Sequence, residues 1–464
     1  MKKYALVGTG GRAGLYINAI ATDFSARARR VAFCDTNRIR MAYANQLIGA
    51  QGHAPVPLYP VQEFDRMIAE TRPDVVIVTS IDRTHHHYIL RAMELGCDVV
   101  SEKPMTIDEE KCQAILDAIL DAILDAILDA ILDAILDAIL DAILDAILDA
   151  ILDAIRRTGR QLRVTFNYRY APHHSKIREL LVAGTIGDVF SVHFEWLLNT
   201  QHGADYFRRW HRDKRNSGGL LVHKSTHHFD LVNFWLGSEP DTVYAQGDLR
   251  FYGRANVEQR GITDFYARCH QSPAAERDPF ALQMAQSSTL RALYLAAEQE
   301  DGYYRDKSVF DDGISIEDVM GVMVRYKNRA IMTYSLNAYL PWEGLNVVFN
   351  GSQERLEMKL VEKSYVNGGG KQAQEGTLDE CDIRVFPMFG DAYRVDVPHE
   401  AGGHGGGDRV MLNDLFGAPV DDPLRRTAGF RDGALSIMTG IAANRSLRTE
   451  APVNISALAI TLPD

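Results

Sequence analysis

At 464 residues, with 46% apolar and 24% charged side chains, the chain has a globular composition and a length suited to two domains, which excludes collagen-like, mucin-like and wholly disordered readings. Its formal charge of -12 is mostly local: Ala-Ile-Leu-Asp repeats ten times from Ala114 to Asp153, and the nine surplus copies hold nine of the 62 acidic residues, leaving 53 against 50 basic. That near balance leaves no basic field for nucleic acid and no polybasic segment for a membrane surface.

The chain opens Met-Lys-Lys and enters an apolar run without the h-region and cleavage site of a signal peptide, so no export is expected. Tyr4 to Val7 predicts a strand, Gly8-Thr9-Gly10-Gly11-Arg12-Ala13-Gly14 a turn, and Leu15 to Ala21 a helix. In that order the G-x-G-x-x-[GA] match at Gly8, Gly10 and Ala13 has a mechanism. The first glycine permits the turn, the second lets a pyrophosphate approach the backbone, and the small third residue lets helix and strand pack. Amides at the helix start, around Gly11 and Arg12, then face the phosphates. A second strand, Arg30 to Cys34, ends at Asp35, which is placed to receive ribose hydroxyls and to repel a 2′-phosphate; NAD is favoured over NADP. Arg38, three residues on, could pair with that phosphate or be a solvated helix charge. Further strands are predicted at Asp74 to Thr79 and Asp98 to Ser101, the latter followed by Glu102-Lys103-Pro104. Alternation with helices predicts a doubly wound parallel sheet, whose ligands lie at the C-terminal ends of the strands. Lys103 there can donate to a substrate hydroxyl and stabilise the oxyanion that forms as hydride leaves.

The repeat is apolar enough to suggest a membrane span, but an Asp every fourth residue would cost about 3 kcal/mol each in hydrocarbon. A helix is expected instead. Four-residue spacing turns the Asp stripe by about 40° per copy, so no fixed apolar face results. With one copy retained, Asp108 to Ala118 followed by Ile155-Arg156-Arg157-Thr158-Gly159 reads as an amphipathic helix with a glycine cap. We expect the repeat to protrude, break or pack poorly and assign it no biochemical role. A chain shortened by nine copies should be at least as soluble and active, which expression and turnover measurements would check.

Beyond it, Gln161 to Asn167 predicts one more strand, with a boundary near Tyr168 to Pro172 and domains of residues 1–168 and 169–464. Val189 to Trp196, Thr242 to Phe251, Val319 to Tyr326, Ala330 to Leu336, Asn346 to Phe349 and Arg355 to Leu360 are strand-like, with turn signals at Lys327-Asn328 and Asn350-Gly351. An α+β domain on a largely antiparallel sheet follows. Gly368 to Gly376 and Gly402 to Gly407 read as loops. One long helix is expected from Gly219 to Leu236, with His223, His227 and Asp230 on one face at i, i+4, i+7. A histidine facing a cofactor is a candidate general base. H-x-x-x-H could hold zinc, but without the Glu of H-E-x-x-H no metal is expected. The His85-His86-His87 and His173-His174 runs read as loop and junction residues. Cys34, Cys97, Cys112, Cys269 and Cys381 form no C-x-x-C pair, which argues against a disulfide framework and fits a reducing cytoplasm.

Taken together, the GTGGRA turn, Asp82 and His85 in TSIDRTHHHY, the EKP tripeptide, FNYRY and the GG…H…H…D helix resemble the Gfo/Idh/MocA family of NAD(P)-dependent oxidoreductases, over the whole chain except the repeat. The resemblance implies a Rossmann domain joined to an open-faced sheet domain, a sugar or polyol substrate and a homo-oligomer. It implies that Lys103 and His227 are the catalytic lysine and histidine, and that Ser80, His85 and Glu102 join the cofactor site. In one respect the chain departs from the family: many members carry Asp where this chain has His223. On this reading His223 or Lys224 binds a substrate hydroxyl, and Tyr168, Arg169, Trp210 and His211 are further candidates for the cleft. Two alternatives accompany the dehydrogenase reading: redox-neutral glycoside cleavage by oxidation, elimination and reduction, and a non-catalytic binding protein.

Overall fold

The computed structural model describes residues 1–121, 161–362, 378–398, 403–458, 460 and 462. Most of the AILD repeat and the Gly368 to Gly376 loop lie outside them. The first two copies, residues 114–121, continue a helix that begins at 109. Ile115, Leu116 and Ile119 are buried, while Leu120 is already 42% exposed, as expected when a four-residue unit rotates on a helix of 3.6 residues per turn. Among the described residues, no helix is long and apolar enough to cross a membrane, and no disulfide joins the five cysteines.

The first half forms a six-stranded parallel sheet from β1 (Lys2–Val7), β2 (Ala28–Asp35), β3 (Leu58–Pro60), β4 (Val75–Val78), β5 (Asp98–Ser101) and β6 (Leu162–Val164), in the order β3-β2-β1-β4-β5-β6. All four residues of β4 are buried, as helices covering both faces of a parallel sheet require. The strand order reverses between β1 and β4. Their C-terminal ends, with that of β5, therefore open one crevice and bring the glycine turn, the Ser80–Asp82 loop and Lys103 to the same edge. Around the turn lie α1 (Ala13–Ala21) and α2 (Arg38–Gly49).

The second half builds a nine-stranded sheet, β14-β13-β12-β11-β7-β10-β9-β8-β15. Its strands are β7 (Val189–Asn199), β8 (Pro240–Asp248), β9 (Val319–Tyr326), β10 (Ile331–Leu340), β11 (Glu343–Gly351), β12 (Glu354–Glu362), β13 (Leu378–Pro387), β14 (Tyr393–Arg394) and β15 (Val453–Asn454). Only β7 and β10 pair in parallel. β9 alternates buried and exposed residues strictly, the mark of a sheet with one covered face. That cover comes from α3 (Leu220–His223), α4 (Ser225–Leu236) and α5 (Phe430–Thr449). A Cβ on Gly440 of α5 would fall 2.4 Å from the Leu221 carbonyl, so only glycine lets α5 close on the helix that carries His223.

Both expected sheets form, with local differences. The strand expected to reach Asn167 ends at Val164; Phe166 bonds back to Val164, and Asn167–Tyr170 make a 3-10 turn. The strand expected to reach Phe251 ends at Asp248, because the Asp318 carboxylate takes the amides of Arg250, Phe251 and Tyr252 and bends the chain away. The helix expected to run unbroken from Gly219 to Leu236 breaks at Lys224. Part of the Gly402 to Gly407 loop is helical: Gly403–Gly406 is a 3-10 turn leading into a helix, Gly407–Phe416. That helix packs Phe416 on Tyr4 of the first sheet, centroids 5.1 Å apart.

Candidate active site

The strand ends of the first sheet and the α3–α4 pair of the second half face one another across a cavity of about 530 Å³, within the ordinary range for cofactor and substrate sites. At one end lies the glycine turn. Gly8 has φ +86°, and a Cβ there would fall 2.6 Å from Ser80 N and Cα. Glycine alone allows this close approach, and Gly8, Gly10, Gly11 and Arg12 all line the cavity. Ala13 is fully buried and packs α1 on the sheet without lining it. Glu102 accepts from Arg12 Nε at 2.6 Å and from the Tyr16 hydroxyl at 2.5 Å. Burial alone would raise its pKa, but these two partners outweigh burial and hold it below the usual range.

Other expected cofactor residues are differently engaged. Asp35 lines the cavity, yet its Oδ2 accepts from Thr9 N and, at 2.8 Å, Thr9 Oγ1, while Oδ1 accepts from Asn37 N at 3.0 Å. Arg38 points to solvent and contributes a backbone amide, not its guanidinium. Of the two arginines that open α2, it is Arg40 that lines the cavity, paired with Asp301 at 2.7 Å. Ser80 lines the cavity with its hydroxyl 2.8 Å from that of Thr84. His85 faces two carbonyls, Pro104 at 2.8 Å and Ser80 at 3.1 Å, and so ties together the loops on either side of the crevice.

A segment from the second half, residues 288–303, folds over the glycine turn. Tyr294 Oη accepts from Gly11 N at 3.2 Å, the Ala297 carbonyl accepts from Asn37 Nδ2 at 2.9 Å, and Glu300 accepts from the Arg38 and Ile39 amides at the start of α2. A dinucleotide would be held here by the close-approach glycine and the N-terminus of α1, where a phosphate would take the Gly11 amide that Tyr294 holds in this structure.

At the other end Lys103 Nζ lies 3.4 Å from His223 Nε2 and 3.2 Å from the His223 carbonyl. His223 Nδ1 meets Asp82 Oδ2 at 2.5 Å. The carboxylate that the helix lacks at position 223 is thus supplied by the other sheet, through the imidazole. Burial pulls the Lys103 pKa down to about 8, with Asp82 opposing the fall. Burial likewise keeps His223 neutral and pushes Asp82 up. His227 lines the cavity, its ring stacked on Tyr168 at 4.5 Å. Its Nδ1 is buried with no hydrogen-bond partner among the described residues. Burial, then Lys103 and Lys224, hold it neutral.

Two expected substrate residues lie off the cavity. Tyr168 stands behind His227 and takes a hydrogen bond from Lys224 Nζ at 3.1 Å. Arg169 is 3% exposed and committed to Asp230 through two bonds of 2.7 and 2.6 Å, and to Asp432 at 2.7 Å. Asp230, one turn farther along the helix than His227, therefore serves Arg169 and does not line the cavity. Lys224, Trp210 and His211 do line it, the last two stacked at 3.6 Å.

Asp82, His211 and His223 put one ligand atom each within 4.8 Å of one another, but the Lys103 ammonium, 3.4 Å from His223 Nε2, would repel a cation held by that imidazole. Asp82 was legible in the sequence only as a motif residue. Arg40, Tyr294 and a Glu343–His202–Tyr206 chain gave no sequence signal, because each acts through partners about 140 to 280 residues away.

Residues 2–122 match the model of the oxidoreductase family NAD-binding Rossmann fold, and residues 178–455 match its C-terminal alpha/beta domain. The chain is 33% identical to YteT of Bacillus subtilis (strain 168) over 99% of both chains. It is 27% identical to inositol 2-dehydrogenase of Rhizobium meliloti over 52% of this chain and 57% of that one. The WlbA dehydrogenase of Bordetella pertussis, solved in complex with NADH and UDP-GlcNAcA, shares the fold at TM-score 0.57 and 16% identity over 97% of this chain and 98% of that one.

Proposed function

The chain belongs to the Gfo/Idh/MocA oxidoreductase family, and from that premise we propose that it is an NAD-dependent dehydrogenase of a secondary alcohol on a sugar or polyol. The observation that carries this reading is one cavity lined by the glycine turn, Lys103 and His227 together. A bound nicotinamide would supply the hydride acceptor. His227, held neutral by burial and two nearby cations, takes the hydroxyl proton at Nε2. Tyr168 fixes its ring from behind. Lys103 donates to the same oxygen and stabilises its developing charge.

The Asp82–His223 pair lets Lys103 change protonation state without building up net charge. With Asp82 ionised, His223 carries its proton on Nδ1 and accepts from the ammonium at Nε2. If the lysine loses a proton to Nε2, the Nδ1 proton passes to Asp82 and the imidazole stays neutral throughout. That exchange costs less than ionising any member alone in a buried site. The Trp210 face at the cavity suits the C–H surface of a sugar ring.

The test is NAD reduction by purified protein across aldoses, ketoses and inositols; no reduction with any of them would sink the reading. Two carboxylates, Asp35 and Glu300, stand at the end of β2 and the start of α2, and both repel a 2′-phosphate. NADP is therefore expected to bind at least about tenfold more weakly than NAD, a difference of about 1.4 kcal/mol, as fluorescence titration would measure. Glu300→Gln should narrow that gap by weakening NADP rejection, with NAD binding unchanged.

A further inference from the structure

A second carboxylate–histidine pair reaches the same cavity beside the first. His202 and Tyr206 lie one turn apart on the helix Thr200–Arg208, and Glu343 is the first residue of β11. His202 Nδ1 meets Glu343 Oε1 at 2.5 Å, and His202 Nε2 meets the Tyr206 hydroxyl at 2.9 Å. The relative exposures are 3% for Glu343, 7% for His202 and 5% for Tyr206. His202 and Tyr206 line the cavity while Glu343 lies behind them. The Tyr206 ring is 5.5 Å from that of His223, so this chain of groups adjoins the Asp82–His223–Lys103 chain.

We propose that Tyr206 is a second acid–base residue of this cavity, exchanging a proton with a hydroxyl oxygen of a polyhydroxylated substrate while His202 and Glu343 relay its own proton. The substrate class rests on the dehydrogenase reading; the activation of Tyr206 does not.

A histidine whose Nδ1 proton is held by Glu343 presents Nε2 as an acceptor. Tyr206 must then donate its proton inward, and its oxygen is the atom through which a ligand in the cavity would exchange a proton with the relay. As a substrate hydroxyl gives its proton to Tyr206 Oη, the phenol proton moves to His202 Nε2. One O–H bond breaks and one forms at Oη, and no electron is transferred. Nucleophile, base and orienting acid follow in the order that activates a hydroxyl elsewhere. A carboxylate buried only for packing would be an expensive choice, since an apolar side chain fills the same space without desolvation. Burial pushes Glu343 up to about 7, with Lys224 opposing, so the end of the relay can take or release a proton near neutrality.

The experiment uses methanesulfonyl fluoride on the purified full chain, which requires neither cofactor nor sugar. An activated phenol attacks sulfur, the S–F bond breaks, an S–O bond forms, and the phenol proton leaves through His202 to pair with fluoride. Peptide mass spectrometry is expected to find Tyr206 labelled at least tenfold faster than the exposed Tyr304 and Tyr393. His202→Gln and Glu343→Gln should each slow that labelling at least tenfold with unchanged circular dichroism. Labelling of Tyr206 no faster than Tyr304 in the native chain, or unaffected rates in folded variants, would overturn the assignment. A dehydrogenase reading that failed for lack of NAD reduction would leave this labelling result intact, so the two failures are distinguishable.

Discussion

Replacing Lys103 with methionine is expected to lower kcat by about 10³-fold, the loss typical of removing one donor to a developing oxyanion. The fold should survive. Lys103 is a buried cation whose pKa burial has already pulled down to about 8, so an apolar side chain of similar length relieves desolvation and leaves Asp82 free to hold a proton. The melting temperature is expected to stay level or rise, which separates a chemical role from a structural one. The same pKa predicts a pH profile. The acting form is the ammonium, so kcat/KM should fall as pH rises above about 8. Asp82 opposes the depression of that pKa; Asp82→Asn removes the opposition and should move the alkaline limb to lower pH. An unchanged limb in Asp82→Asn would disconnect the carboxylate from the lysine.

The second large effect is on stability. Arg169→Ala is expected to destabilise the protein by about 3 to 5 kcal/mol, because it strands a buried carboxylate that had two charge-assisted bonds. Asp230 is 1% exposed and takes both of its oxygens to Arg169. Arg169→Lys should recover only part of the loss, since an ammonium cannot span both oxygens and reach Asp432 as well. Urea denaturation would measure both. A folded Arg169→Ala of unchanged stability and raised KM would return this residue to the substrate list, where the sequence alone had put it.

Arg169 shows where reading along the chain stops. It stands in FNYRY beside Tyr168, and the family resemblance treats the two alike as cleft residues. The structure instead puts Tyr168 behind His227 and turns Arg169 to Asp230, a partner 61 residues on. Helical spacing grouped His223, His227 and Asp230 on one face, yet the helix breaks at Lys224, and the seventh residue faces a different neighbour. Asp35 was legible as the acid ending β2, but not as the acceptor of the Thr9 amide and hydroxyl. β3 and the last three strands escaped notice because they are short edge pieces or lie where alternation is interrupted; each takes its place from the strand beside it.

The sequence by itself determined the glycine turn and both sheet classes, because backbone sterics and hydrophobic period express these within a few residues of chain; the roles expected of Lys103, His223 and His227 came from the family resemblance. Only the tertiary structure decided which groups meet: Asp82 with His223, Glu343 with His202, and Tyr294 over Gly11. Those encounters join residues 141, 141 and 283 positions apart. They are set by how the two sheets and their covering helices pack, and no local pattern in the chain encodes that packing.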